Sequence, residues 1–393
     1  MSAGPLSAGP AGAATAVTSL ARGHALGPAQ DAVPDLVAAL RAGLGGGTAA
    51  AVLYFASSRY HPQELAGPIA AAFPGAAVIG CSTAGEFTDT VTTTGGIAAV
   101  AIPHGIIGGA VAALGDLSGD VPAGMGAAIS RIESSLGIPL RELDPAEHLG
   151  FVLIDGMHQA EEAVNEALGD AAPLLDIVGG SAGDDLAFER TWVAVGDQFS
   201  FQGVALMICH VEVPFRVVKT CAVHQTGVTL RITQTDESKR VVTQFDGRPA
   251  AQAYADAVGV AVADLDSSVF MRFPLGQIIS GEPWVRSPQG VADGGGVRFL
   301  AQMPLGMDVS LMGTADLVGG TREALTAAQR SLRGYTSGAV LFNCILRRLE
   351  MDAIGASQDF LEAFGGLPVA GFHTYGETWM AHVNQTLTGV VFG

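Results

Sequence analysis

The sequence predicts an α/β protein of two domains, built from repeated strand-helix-strand units with mixed sheets and a β-rich insert in the second half. Three observations carry that expectation. Short apolar runs alternate with helical stretches, as in an α/β architecture. One arrangement of strand, helix, strand and a small-residue turn ending in glycine and a carboxylate occurs three times. Between the second and third copies the composition changes to strand-like alternation.

Taken in order, residues 1–20 are rich in Ala, Gly, Ser and Pro, lack the basic and apolar regions of a signal peptide, and read as a disordered leader. The first copy has a strand over 50–57 and a helix over 61–73 with Pro62 in its first turn. A strand over 76–80 and the turn Cys81-Ser82-Thr83-Ala84-Gly85-Glu86 complete it. The second has a strand over 151–154, a helix over 159–168, a strand over 175–178 and the turn Gly179-Gly180-Ser181-Ala182-Gly183-Asp184. The third has a strand over 339–343, helical chain over 346–364 and the turn Gly371-Phe372-His373-Thr374-Tyr375-Gly376-Glu377. A further strand follows each turn, over 96–102, 203–210 and 386–392. The insert reads as strands over 228–235 and 240–245, a turn at Asp246-Gly247-Arg248-Pro249 and a helix over 250–258. Strands over 271–276, 284–287 and 297–303 follow. A boundary near Pro214 divides the chain into 21–214 and 215–393.

Composition excludes several function classes. Lys and Arg total 20 against 38 Asp and Glu, for a formal charge of −18. A field of that sign repels nucleic-acid phosphates and anionic membrane surfaces. The stretch over 90–114 lacks Asp, Glu, Lys and Arg, but Gly95, Gly96, Pro103, Gly105, Gly108 and Gly109 break it. It therefore reads as two strands joined by a Pro-His-Gly turn instead of a membrane helix. Cys81, Cys209, Cys221 and Cys344 have no CxxC or zinc spacing, so a reduced, cytoplasmic setting is expected, without disulfides or a structural metal. No Ser-His-Asp order, HExxH, phosphate loop or dinucleotide fingerprint occurs.

The turns are the places where chemistry could be concentrated. Small residues let backbones approach closely and expose N–H groups, and the acid after the glycine can accept bonds from a neighbouring loop or a ligand. Alone, such a pair is ordinary turn chemistry; three copies in the same local context argue against coincidence, and duplication of a structural unit alone would also produce them. In a chain so poor in cations, Arg286, Arg347 and Arg348 either pair with Glu86, Asp184 and Glu377 or clamp an anionic group, with internal pairing the expectation. Cys81 and Cys344 read first as packing residues and otherwise as nucleophiles.

The first and third turns, together with Phe342-Asn343-Cys344-Ile345-Leu346-Arg347-Arg348, resemble the signatures of the FIST family, paired FIST N and FIST C domains of signal-transduction proteins. The resemblance runs from about Ala50 to Gly393 and looks closest to a nitric-oxide-sensing haemoprotein branch. It does so through Ile154-Asp155-Gly156, Glu161-Glu162, the stretch over 179–186, Val285-Arg286-Ser287 and His382-Val383-Asn384-Gln385-Thr386. It implies a sensor in which the three turns are the rim of a groove for a small or gaseous ligand, without an output domain, regulating a separate histidine kinase or a diguanylate cyclase or phosphodiesterase, and compatible with a homodimer. It makes Cys81, Ser82, Thr83, Glu86, Ser181, Asp184, Arg286, Cys344, Arg347, His373, Tyr375 and Glu377 the ligand-binding candidates. It also makes haem the candidate cofactor, with His224, His373 and His382 as candidate iron ligands. The chain departs from that branch after Lys219-Thr220, where His224 stands two positions late, and before Pro274, where Phe273 replaces a histidine. The alternative is a haem- or cysteine-dependent enzyme acting on a small molecule.

Overall fold

Three consecutive lengths of chain build the same four-stranded sheet, and each lends a hairpin to the sheet of another. The computed structural model describes residues 19–393. The leader expected over 1–20 lies outside them except for its last two residues: Ser19 donates to the Ser337 carbonyl (3.0 Å) and Leu20 is buried.

The first unit comprises β1 (Ala21–Ala25), α1 (Ala29–Gly43), β2 (Ala49–Ser57), α2 (Pro62–Ala72), β3 (Ala77–Thr83), β4 (Glu86–Thr88), β5 (Thr92–Thr93) and β6 (Ile97–Pro103). The second comprises β7 (Ile107–Asp116), α3 (Val121–Leu136), β8 (His148–Ile154), α4 (Glu161–Ala171), β9 (Ile177–Ser181), β10 (Val193–Val195), β11 (Gln198–Ser200) and β12 (Gly203–Val211). The third opens with β13 (Phe215–Cys221) and is then interrupted by the insert. That insert holds β14 (Val223–Asp236), β15 (Val241–Phe245), β16 (Arg248–Pro249), α5 (Ala250–Val258), α6 (Ser267–Arg272), β17 (Leu275–Ile279), β18 (Glu282–Arg286), β19 (Pro288–Ala292), β20 (Gly296–Phe299) and β21 (Asp308–Thr314). The unit resumes with α7 (Leu317–Ser331), β22 (Gly338–Cys344), α8 (Ile345–Ile354), α9 (Ser357–Glu362), β23 (Val369–Thr374), β24 (Glu377–Trp379), β25 (Ala381–Val383) and β26 (Thr386–Phe392).

The sheets have orders β1-β6-β2-β3-β10-β11, β7-β12-β8-β9-β24-β25 and β13-β26-β22-β23-β4-β5. The second unit's hairpin thus completes the first sheet, the third unit's the second, and the first unit's the third. Pairs β2/β3, β8/β9 and β22/β23 are parallel, the first two crossed over by one helix each and the third by α8 and α9. β2 is buried along its whole length because its inner face meets the other sheets and its outer face meets helices, so it reads as an unbroken apolar run. Inner faces share one core, in which Phe55 stacks on Phe372 at 4.9 Å. Outer faces pack under helices in three separate clusters. At the start of α2 a capping box formed by His61 and Glu64 sits beside Pro62.

The repeats, the insert and the two strands β6 and β7 on either side of the Pro-His-Gly turn match expectation, although the two strands enter different sheets. Among the described residues no helix is long and apolar enough to cross a membrane. Three differences have a common cause. β3, β9 and β23 run on to Thr83, Ser181 and Thr374, into the expected turns, because lent strands pair with their ends: β10 against Cys81, β24 against Gly179 and Gly180, and β4 against Gly371. The strand expected over 271–276 begins instead with α6, whose first turn Asp266 caps by accepting from Val269 N at 3.0 Å.

Candidate functional site

The three turns meet at the centre of the molecule and bond to one another through their backbones. Gly183 N donates to Ser82 O (3.0 Å) and Asp185 N to Thr83 O (3.1 Å). Ser181 N donates to Gly376 O (2.8 Å) and Tyr375 N to Ser181 O (3.1 Å). Ala84 N donates to His373 O (3.0 Å) and His373 N to Gly85 O (2.8 Å). Such close approach explains the glycines: a Cβ on Gly183 would lie 2.7 Å from Ala84 N.

The acids complete this joint. The Thr83 hydroxyl donates to Glu86, whose other oxygen accepts from Gly96 N at 3.1 Å, tying the turn to β6. Glu377 repeats the pattern, with donors from the hydroxyls of Thr374 and Thr386 and from Thr386 N at 3.1 Å. Burial pushes Glu86 up to about 8 and Glu377 up to about 7. Asp184 instead collects the amides of Phe188 (2.9 Å), Glu189 (2.6 Å) and Arg190 (2.9 Å) and the Tyr375 phenol. Ser82, Thr83, Glu86, Ser181, Asp184, Cys344, Arg347, His373 and Glu377 are all buried. The expected rim is therefore an interior joint, because backbone bonds between units need close, dry contact.

None of the arginines pairs with these acids. Arg347 is buried and meets only neutral partners, Asn343 Oδ1 (2.8 Å), Thr321 Oγ1 (2.7 Å) and Leu317 O (3.3 Å). Arg348 donates to Ala84 O (2.7 Å) and pairs with Asp352 at 3.2 Å, while Arg286 donates to Gln302 O. Hydroxyls and backbone amides had already met the acids' needs, so pairing was not required.

A haem needs a ring nitrogen, thiolate, thioether or phenol free to reach iron. His224 is exposed on β14, against Gly313. His373 has Nδ1 at 3.0 Å from the Asn343 amide nitrogen and Nε2 at 3.4 Å from Thr92 Oγ1, and burial holds it well below the usual histidine range. His382 has Nε2 at 3.1 Å from Leu300 O. None of the three lines the cavity described next, so this set does not fit a haem there. Among the described residues no group of three or more His, Cys, Asp or Glu could hold a metal ion. Cys81 and Cys344 are buried, and burial pushes both thiols well up, away from nucleophilic form.

The repeat creates three equivalent crevices, each between the strand-to-helix connection of one unit and the turn lent by another. The one between α8 and the first turn is filled by Arg348. Between residues 58–62 and 184–192 an open crevice of about 270 Å³ remains. The crevice of the second unit is roofed by the insert and forms a cavity of about 490 Å³. Its walls are Met157, Phe270, Met271, Phe299, Leu300, Ile345, Leu346, Leu349 and Tyr375. Leu186, Phe188, Gln159, Ser267 and Gln289 surround the mouth, and Glu161 and Arg240 lie at the buried floor. Arg240 Nη2 bridges Glu161 and Glu162, 2.6 Å from each, and Nη1 donates to Leu300 O at 2.9 Å. Burial alone would raise Glu161, but the charges of Arg240 and His382 together with its hydrogen bonds hold its carboxyl below the usual range. A wider furrow of about 1070 Å³ between β7 and β11 is an open surface groove lined largely by small residues.

Of the ligand-binding candidates only Tyr375 lines this cavity, while Ser181 reaches its floor by donating to Glu161 at 3.0 Å; Gly156, Leu186, Ile345 and Leu346 line it from the family motifs. Glu161 belonged to a family motif, but Arg240 carried no signal, since its partners lie about eighty residues away in sequence.

Comparison with known proteins agrees with the repeat. Residues 50–248 match the FIST N domain and residues 250–380 the FIST C domain. Among curated proteins none matches this chain. Among solved structures a crystal structure of chorismatase is similar over 96% of this chain and 100% of that one, at 11% identity and a TM-score of 0.33. That likeness is too remote to carry an argument. With more than half of its length matched in the expected order, the chain belongs to the FIST family, as a FIST N domain followed by a FIST C domain, the sensor domains of signal-transduction proteins.

Proposed function

We propose that the protein is a small-ligand sensor whose ligand site is the cavity under the insert, and that the insert reports occupancy to a separate histidine kinase or cyclic-dinucleotide enzyme. The observation that carries this reading is the roof. Three crevices are equivalent by the repeat, yet the insert covers the one with an apolar lining. A volume of about 490 Å³ suits one small organic molecule. Its walls come from the second unit, the third unit and the insert, so occupancy acts on all three at once.

The test is a thermal-shift screen of metabolites on the full chain and on Leu346→Trp, which fills the cavity from α8. A ligand at a hundred times its dissociation constant stabilises by about 2.7 kcal/mol. Hits are expected to lose their shift in Leu346→Trp; hits that keep it would move the site elsewhere. Haemin belongs in the screen, since a Soret band that shifts with nitric oxide would make haem the ligand.

A further inference from the structure

The charges around the cavity say what kind of ligand it takes. Glu161 and Arg240 are the only charged residues lining it, and they are bonded to each other at 2.6 Å. Behind them Glu162 accepts from Arg240 at 2.6 Å and from Gln302 N at 2.7 Å, and the Arg286 guanidinium donates to Gln302 O. Among the described residues, both charged groups that line the space are thus ion-paired, Glu161 with Arg240 and Arg240 also with Glu162, while Arg240 Nε has no hydrogen-bond partner. A charged ligand buried here would need a counter-charge, and without one it would lose its hydration uncompensated.

What the cavity does offer is neutral. Phe270, Phe299 and Tyr375 supply aromatic surface, and Phe188 stacks on Tyr375 at 5.0 Å, with an interplanar angle of 21°, to continue it to the mouth. At the mouth Gln159, Ser267 and Gln289 bring amide and hydroxyl groups that, among the described residues, have no hydrogen-bond partner. We infer that the ligand is an uncharged aromatic molecule: its ring fills the space between Met157 and Phe299, and its neutral hydrogen-bonding edge meets the amides at the mouth. This rests on the cavity being the ligand site.

Benzamide, benzoate and benzylamine share a ring and differ in charge, so they separate the chemistry from the site. Each is titrated into the full chain, into Leu346→Trp and into Gln159→Lys, with binding read from protein NMR chemical shifts. Benzamide is expected to bind the wild type at least about tenfold more tightly than either charged probe, and to lose that binding in Leu346→Trp. Gln159→Lys supplies the missing counter-charge at the exposed mouth and is expected to raise benzoate affinity selectively. If benzoate or benzylamine matches benzamide in the wild type and is lost in Leu346→Trp, the uncharged-ligand inference is overturned while the site stands. Probe binding that survives Leu346→Trp overturns both. If no probe binds the wild type, the inference falls and the metabolite screen alone judges the site.

Discussion

A carboxyl sealed away from water keeps its proton unless a cation meets it, and Glu86 has hydroxyls and one amide for company instead. Burial raises it to about 8, against the opposing pull of those hydrogen bonds. A glutamate in the unfolded chain titrates near 4.3. Glu86 therefore contributes stability that is full below about pH 4.3 and is lost as pH rises through about 8. The melting temperature is expected to fall between about pH 5 and pH 9, with Glu86→Gln removing a component on the order of 4 kcal/mol. Parallel pH profiles for the wild type and Glu86→Gln would overturn that assignment. At this scale the sequence showed which residues matter without showing their task. Glu86, His373 and Glu377 were all legible as special, yet they lie in the joint, and Cys81 packs in the shared core, because a one-dimensional pattern does not say whether a turn faces water or another turn.

The loop after Asp184 behaves as a strained element held shut. Asp185, Leu186 and Phe188 have φ of 55°, 68° and 53°, a region that costs non-glycine residues on the order of 1–3 kcal/mol each. The Asp184 carboxylate holds the loop through three amides, and the Tyr375 phenol links Asp184 to Leu186 N, accepting from it at 2.9 Å. Leu186 and Phe188 are also the cavity mouth, so the latch and the entrance are one structure. Tyr375→Phe removes a hydrogen bond to a charged group and should raise amide exchange over 186–190 at least about tenfold, leaving β22 and β23 unchanged. Unchanged exchange in the loop would show that Tyr375 does not latch it. Elements of this kind were the least legible. Strand-helix-strand units announce themselves through apolar period, whereas the latch joins residues 191 positions apart in sequence.

At the scale of the molecule, the exchange of hairpins makes the two halves depend on each other. The second sheet ends in β24 and β25 from the third unit, and β4 and β5 of the first unit close the third sheet. Residues 1–214 therefore lack part of a sheet and carry a hairpin with nowhere to pair. Expressed alone, that half is expected to show no cooperative thermal transition by circular dichroism, and co-expression with 215–393 should restore a single transition. A cooperative melt of 1–214 alone would contradict this.

The motifs in and beside the turns carried the resemblance to the family. Composition, apolar period and the thrice-used turn sufficed to determine the α/β class, the three repeats and the position of the insert. Each of these depends on contacts within a few turns of chain, where side-chain spacing is itself the physical cause. Which unit lends its hairpin to which, that the glycine-acid turns form a buried joint, and that the insert roofs one crevice of three were decided only by the tertiary structure. Those outcomes follow from pairing between strands far apart in sequence, and local spacing carries no record of it.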